Sequence, residues 1–204
     1  MAFTFFFRDQ TPLEHAVRFM TAAASGRSRI NIWDAGCAMG QEPYTLAIIL
    51  AETMNYFALN NIKIYATDYD EPLLKILREG CYPYDELQRI PGHLFEKYFQ
   101  PDKQSGYFRL IDKIKSLVEP QFHNLLTLAP IKDGLSLIVC KNVLLHFNQD
   151  ERIAVIRMFH KSLEQGGIFV TEHTQKMPEE VSSLFEQLVS DGQVFRKVEV
   201  PVCR

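Results

Sequence analysis

Short unbroken apolar runs alternate along the chain with longer stretches whose apolar residues recur every three or four positions. Residues 30–34 (INIWD), 62–67 (IKIYAT), 137–140 and 168–171 are runs of four to six residues, the signature of strands buried on both faces. Between them, Leu46, Ile49, Leu50 and Thr53 keep helical spacing within 41–54, and Leu73, Leu74 and Leu77 do so within 71–78. Ile153, Ile156, His160 and Leu163 share one face of 149–163, with Gly166 and Gly167 reading as that helix's stop. A first helix starts near Thr11 and Pro12, a favourable cap and first-turn pair. A last helix over 179–189 and a last strand over 194–200 complete the pattern. Alternation of this kind implies a mostly parallel sheet covered on both faces.

The middle breaks the alternation. Pro83, Pro91, Pro101 and Pro120 punctuate it, a polar turn occupies 102–106, and residues 107–111 and 113–118 read as two short strands, a hairpin projecting from the sheet. The expected fold is therefore α/β: a doubly wound, mostly parallel sheet with a small antiparallel flap over 98–119, in a single domain spanning 1–204.

Composition narrows the class of protein. With 204 residues and 47% apolar content the chain is globular, able to bury about 70% of its unfolded surface without disulfide or metal support. A net charge of −3 offers no basic excess for nucleic acid. No stretch approaches the ~20 apolar residues of a membrane span. The aromatic run 3–7 is halted at once by Arg8, Asp9 and Gln10 and is too short for a secretory signal. Cys37, Cys81, Cys140 and Cys203 are widely spaced, so they form no C-x-x-C motif and read as reduced, mostly buried thiols of a cytoplasmic protein. His15, His93, His123 and His160 lack metal-ligand spacing, and no metal is expected.

Two features carry chemistry. After the first strand comes Asp34-Ala35-Gly36-Cys37-Ala38-Met39-Gly40. A glycine loop at the carboxyl end of a first parallel strand is where doubly wound sheets bind nucleotides, and Gly36 and Gly40 would let a ligand approach the backbone. Neither G-x-G-x-x-G nor the Walker pattern is present. The spacing D-x-G-x-x-x-G resembles the first motif of S-adenosylmethionine methyltransferases, with Ala38 where many have another glycine. The alternative is a tight strand-to-helix turn that binds nothing. Asp68 ends the second strand, placed to accept both ribose hydroxyls of a nucleoside. It could instead cap the helix near Glu71, a task that Asp70 fits better.

Five blocks in order extend the resemblance: Thr4-Phe5-Phe6-Phe7-Arg8-Asp9, Gly40-Gln41-Glu42-Pro43-Tyr44, Ala66-Thr67-Asp68-Tyr69-Asp70, Asn124-Leu125-Leu126, and 140–147 from Cys140 to Phe147. From Thr4 to about Gly167 the chain is similar to the chemotaxis receptor methyltransferases of the CheR type, which methylate receptor glutamates. The resemblance implies a seven-stranded methyltransferase sheet, S-adenosylmethionine as cofactor with S-adenosylhomocysteine as product, and a methyl-accepting chemotaxis-type receptor as partner, without nucleic acid or membrane insertion. By the same resemblance Thr4 and Arg8 line the cofactor and substrate pocket, and Glu42 lies near the cofactor's methionine end. Gly36 and Gly40 form its loop, Asp68 takes its ribose, Asn124 and Leu125 lie beside its adenine, and Asn142 and Val143 lie near the methyl donor. Arg8 and His146 are the candidate catalytic residues.

The chain departs from the family pattern in several places. It begins at the F-F-R block, where the family normally has a preceding helical domain. Lys141 stands where arginine is usual, and His146 where the family has a tyrosine facing the reacting carboxylate. Residues 172–175 replace the G-H-S-E block, and the flap loop 100–105 is shorter than in members that tether to a receptor's C-terminal peptide. These departures motivate an alternative reading, a cofactor-binding pseudo-methyltransferase serving as sensor or scaffold, and a third, a methyltransferase with another acceptor. No N-P-P-Y-like block marks a nucleic-acid amino methyltransferase. A glutamate acceptor, with a pKa of about 4.3, is ionised at neutral pH and needs no general base, so Arg8's planar fork suits it for aiming a carboxylate.

Overall fold

The computed structural model describes residues 4–23, 27–174 and 176–199. Gln175, Cys203, Phe3 and the end of the expected last strand lie outside the described residues. In chain order the strands are β1 (Ile30–Ala35), β2 (Ile62–Asp68), β3 (Cys81–Pro83), β4 (Phe99–Pro101), β5 (Tyr107–Leu110), β6 (Val118–Phe122), β7 (Leu135–Cys140), β8 (Leu163–Thr171), β9 (Phe185–Gln187) and β10 (Val194–Lys197). Seven of them form one sheet in the order β6-β2-β1-β7-β8-β10-β9. The first five run parallel, and β10 pairs antiparallel with both β8 and β9. Chain order reverses between β1 and β7, which opens a crevice beyond the carboxyl ends of those strands.

Side chains alternate across the sheet as the pleat requires, and they sort into two cores. Ile32, Ile64, Leu137, Val139, Ile168 and Val194 pack with the buried stripe Leu13, Ala16, Val17 and Met20 of the helix Gln10–Ala23 and with the helices Gln41–Thr53 and Glu71–Glu79. Their neighbours Trp33, Ile138, Phe169 and Phe195 face the other way, onto Val155, Ile156 and Phe159 of the helix Gln149–Ser162. Trp33 meets Phe159 edge to face at 5.1 Å and donates its indole N–H to Thr67 Oγ1 at 2.8 Å, so its one polar atom is satisfied in the core.

Both faces carry helix, the second one over only part of its area. Between β6 and β7 the helical structure is one 3-10 turn, Leu125–Thr127. Over β2 and β6 that face carries half-buried Lys63, Tyr65, Glu119 and Gln121, with Lys63 and Glu119 ion-paired at 2.9 Å.

Three expectations are corrected. Residues 113–118 do not form a strand: Asp112–Lys115 is a helical turn burying Ile114, and Val118 opens β6 of the main sheet. The small antiparallel sheet is instead β3-β5-β4, so one of its strands, Cys81–Pro83, precedes the expected flap of 98–119. The helix expected over 179–189 is a single turn, Glu179–Ser182, followed by β9, which pairs with β10. Gly166 and Gly167 do not stop a helix, which ends at Ser162; they lie within β8. There Leu163 pairs with Leu135 and Ile168 with Leu137, so β8 accommodates extra residues at an irregularity. Gly166 takes φ 73°, and a Cβ on Gly167 would stand 2.9 Å from the Glu164 carbonyl and 3.0 Å from that of Leu135.

Candidate functional site

A cavity of about 980 Å³ fills the crevice at the carboxyl ends of the parallel strands, the place where a doubly wound sheet holds nucleotides. Its walls come from segments distant in sequence. Thr4 and Arg8 enter from the N-terminal arm, Gly36 and Ala38 from the loop after β1, and Glu42 from the first turn of the following helix. Asp68 and Tyr69 come from the end of β2, Asn124 and Leu125 from the turn after β6, and Asn142, Val143 and His146 from the segment after β7.

The arm is fixed by packing. Phe6 is fully buried between Tyr82 and Phe99 of the small sheet, with ring centroids at 5.0 and 5.5 Å. Phe7 donates its backbone N–H to Thr45 Oγ1 at 3.0 Å. Arg89 stacks on Phe5 at 4.0 Å from the ring centroid, and the Arg8 guanidinium lies 5.9 Å from the same ring. Arg8 thus projects between two residues in left-handed backbone, Phe7 at φ 59° and Asp9 at φ 46°. Ala38 at φ 47° and Asn142 at φ 60° add two more such residues on the cavity wall. Asparagine tolerates this conformation; alanine and phenylalanine adopt it at a cost of about 1–2 kcal/mol each. Strain of this kind concentrates where a constellation of groups must be held.

The glycines also serve the packing of the protein itself. A Cβ on Gly36 would come within 2.2 Å of Val143 Cγ2, and one on Gly40 within 2.8 Å of Leu77 Cγ and 2.9 Å of the Tyr82 hydroxyl. Both also need left-handed backbone, at φ 91° and 100°. Their absent side chains allow the loop to pack against the protein itself. Gly36 still reaches the cavity; Gly40 does not and serves as the N-cap of Gln41–Thr53.

Asp68 is mostly buried. Its Oδ2 accepts the Ala38 N–H at 2.9 Å and its Oδ1 the Asp70 N–H at 3.0 Å. Each carboxylate oxygen has roughly two acceptor sites, so each keeps one for a ligand diol. The helix cap falls to Asp70, whose side chain accepts from the Leu73 N–H. Asn124 spends its Oδ1 on the Leu126 N–H at 3.0 Å, which leaves its amide N–H groups to face outward.

Lys141, singled out in the sequence only as a departure, is central to the geometry. Its side chain is 2% exposed, with Nζ 3.1 Å from Glu42 Oε2 and 3.9 Å from Asp9 Oδ2. It also donates to the Arg8 carbonyl at 3.3 Å, so one ammonium ties the arm to the helix that carries Glu42. Beneath it Asp34 is fully buried, and neither carboxylate oxygen has a hydrogen-bond partner. Burial, then the negative charge of Glu42, pushes its carboxyl well above the usual range; Lys141 opposes this and Asp68 adds to it. Burial and the neighbouring Asp34 likewise push up the Cys37 thiol on the cavity wall, which favours the unreactive protonated form. His123 also lines the cavity, its ring against Trp33 at 5.4 Å, and burial lowers its pKa. Neither Tyr69 nor His123 was a site candidate from sequence, although Tyr69 had a signal in directly following the strand-end aspartate.

Among the described residues no group of three or more His, Cys, Asp or Glu side chains is arranged to hold a metal ion. No helix among them is long and apolar enough to cross a membrane.

The amino-acid sequence is matched by a family model described as "CheR methyltransferase, SAM binding domain", which covers residues 2–194. The chain belongs to that family. It is 29% identical to the "Probable chemotaxis protein methyltransferase" of Rhizobium etli, over 91% of this chain and 72% of the relative. It is 33% identical to the "Chemotaxis protein methyltransferase" of Borreliella burgdorferi, over 74% of this chain and 54% of the relative. With the Escherichia coli protein of the same description it shares 30% identity over 84% of this chain and 60% of the relative. The chain therefore spans roughly half to three quarters of the length of these relatives. Family membership makes S-adenosylmethionine the cofactor, and the cavity's residues fit it. Asp68 offers free acceptor sites at the end of β2, and the Glu42 carboxylate lines the same cavity.

Proposed function

We propose that the chain transfers the methyl group of S-adenosylmethionine to glutamate side-chain carboxylates of chemotaxis-type receptors, as a cytoplasmic enzyme of the signalling pathway. The observation that carries this reading is the convergence of the arm's Arg8, the strand-end Asp68 and the Asn142–His146 segment on one cavity in a chain of the CheR family. The family's relatives bear the chemotaxis methyltransferase description.

When bound, the cofactor supplies an electrophilic methyl on a sulfonium. The protein's part is to hold the reactants. Asp68 takes the ribose hydroxyls, and Glu42, steadied by Lys141, faces the methionine end. Arg8 presents its fork to the acceptor carboxylate, aimed by the strained turn around it and by the hold of Lys141 on its carbonyl. His146, exposed on the rim, donates a hydrogen bond to the same carboxylate. A glutamate acceptor, ionised above a pKa of about 4.3, arrives without a proton to remove, so no residue acts as a base and the catalysis is positional. The test has two stages: calorimetric titration with S-adenosylhomocysteine, then transfer of tritiated methyl to receptor-enriched membranes. Binding followed by base-labile incorporation into receptor supports the reading; absence of binding heat removes its foundation.

A further inference from the structure

We propose that Asp34 holds a proton beneath the cavity and releases it when the cationic cofactor settles over Glu42 and Asp68, so that cofactor binding is coupled to proton release. The inference rests on the reading of the cavity as the S-adenosylmethionine site. It starts from the position of Asp34, at the penultimate residue of β1 and two residues before Gly36 of the cavity loop. The side chain is fully buried and neither oxygen has a hydrogen-bond partner.

The titratable groups that face it come from every element around it: Glu42 from the helix Gln41–Thr53, Asp68 from the end of β2, the Cys140 thiol from the end of β7, Lys141 from the segment after β7, and the Cys37 thiol from the loop. Lys141 is the one cation among these groups, and its ammonium already lies 3.1 Å from Glu42 Oε2 and 3.9 Å from Asp9 Oδ2. An ionised Asp34 would be a second buried negative charge with neither a hydrogen bond nor an ion pair of its own, which the surrounding apolar packing disfavours. Burial and the charge of Glu42 act in the same direction.

S-adenosylmethionine carries a sulfonium, an α-ammonium and one carboxylate, and so brings a net positive charge to this acidic cluster. Opposite charge nearby favours the ionised carboxyl. The O–H bond of Asp34 then breaks and the proton passes to the buffer. S-adenosylhomocysteine, without the sulfonium, would release less. Asp34 acts here through its neighbours, as a positioning residue for charge, and it sets a pH dependence on cofactor affinity.

The experiment is calorimetric titration of the whole chain with S-adenosylmethionine in buffers of different ionisation enthalpy, repeated with Asp34→Asn, which keeps the side chain's shape. The expected result is proton release by the wild type, less with S-adenosylhomocysteine, and none by the variant. Wild-type affinity should also rise with pH, by up to about tenfold per unit for one proton, while the variant's stays flat. Binding enthalpies independent of buffer in the wild type, or equal release by Asp34→Asn, overturn the inference and leave the cofactor reading standing. No heat at all overturns both. Should the variant not fold, infrared difference spectra of the wild type decide: a protonated-carboxyl band lost on adding S-adenosylmethionine supports the inference, and a band that persists refutes it.

Discussion

Replacing Asp68 by alanine removes two kinds of interaction at once, and the structure separates them. In the free protein the carboxylate accepts the Ala38 N–H at 2.9 Å and the Asp70 N–H at 3.0 Å. An orphaned donor costs about 1–3 kcal/mol, at the low end where water can enter. The side chain borders an open cavity, so the folded state should lose about 2 kcal/mol in all. In the proposed complex the carboxylate would also take two ribose hydroxyls, each charge-assisted bond being worth about 1.5–3 kcal/mol. Their loss corresponds to a drop in S-adenosylhomocysteine affinity of about a hundredfold or more. The assay is calorimetry at a temperature where thermal melts show the variant folded. A second arm compares S-adenosylhomocysteine with its 2′-deoxy analogue: the wild type should discriminate against the analogue and Asp68→Ala should not, because the discriminating acceptor is gone. Affinity within threefold of the wild type in a folded variant, or discrimination that survives the substitution, would refute the assignment of Asp68 to the ribose.

Four other outcomes follow from the same geometry. Ala38→Gly relieves left-handed backbone at φ 47° and should raise stability by up to about 1 kcal/mol in denaturant melts, the relief being partly offset by the unfolded entropy of glycine; a loss of stability would show that the loop is not strained there. Arg8→Ala should reduce methyl transfer strongly while changing S-adenosylhomocysteine affinity less, and an unchanged transfer rate would remove Arg8 from acceptor aiming. His146→Tyr should raise transfer by about 10–100-fold, the worth of one better-placed bond to a charged group; equal rates would leave His146 outside the reaction. The fourth concerns stability against pH. Asp34 has a folded pKa raised above its unfolded value, so the native state binds more protons and stability falls as pH climbs above the ordinary carboxylate range. Asp34→Asn should therefore gain on the wild type with rising pH, by about 1.4 kcal/mol per unit across the affected range, and should show no such gain below about pH 4; melts with parallel pH profiles would contradict this.

Much of the sheet was legible because parallel strands buried on both faces leave unbroken apolar runs, as in 30–34 and 62–67, and because Asp70 marks the start of the helix Glu71–Glu79. Misreadings arose where local pattern and tertiary partner disagree. The sequence Lys-Ile-Lys-Ser-Leu-Val over 113–118 alternates like a strand, yet Ile114 N–H bonds back to the Ile111 carbonyl and the segment turns. The stretch 179–189 spaces its apolar residues like a helix, but the free edge of β10 recruits Phe185–Gln187 as a strand. Gly166 and Gly167 follow the last helical turn closely enough to resemble a stop, whereas their role is the crowded irregularity of β8 against β7. At the site, the candidates that motif spacing brought out all border the cavity except Gly40, while Tyr69 and His123 on its wall were missed. It gave no hint that Lys141 clamps the arm or that Asp34 is buried without a partner, since both depend on contacts between segments more than a hundred residues apart or on burial that only the packed sheet creates.

The central claim is methyl transfer to receptor glutamates, and the most direct measurement supplies the protein with tritiated S-adenosylmethionine and receptor-enriched membranes and follows base-labile label in the receptor band. The account predicts time-dependent incorporation by the wild type that S-adenosylhomocysteine suppresses and that Asp68→Ala and Arg8→Ala lose. No label above background from a folded protein that binds S-adenosylhomocysteine, or label carried on a residue other than glutamate, would contradict it.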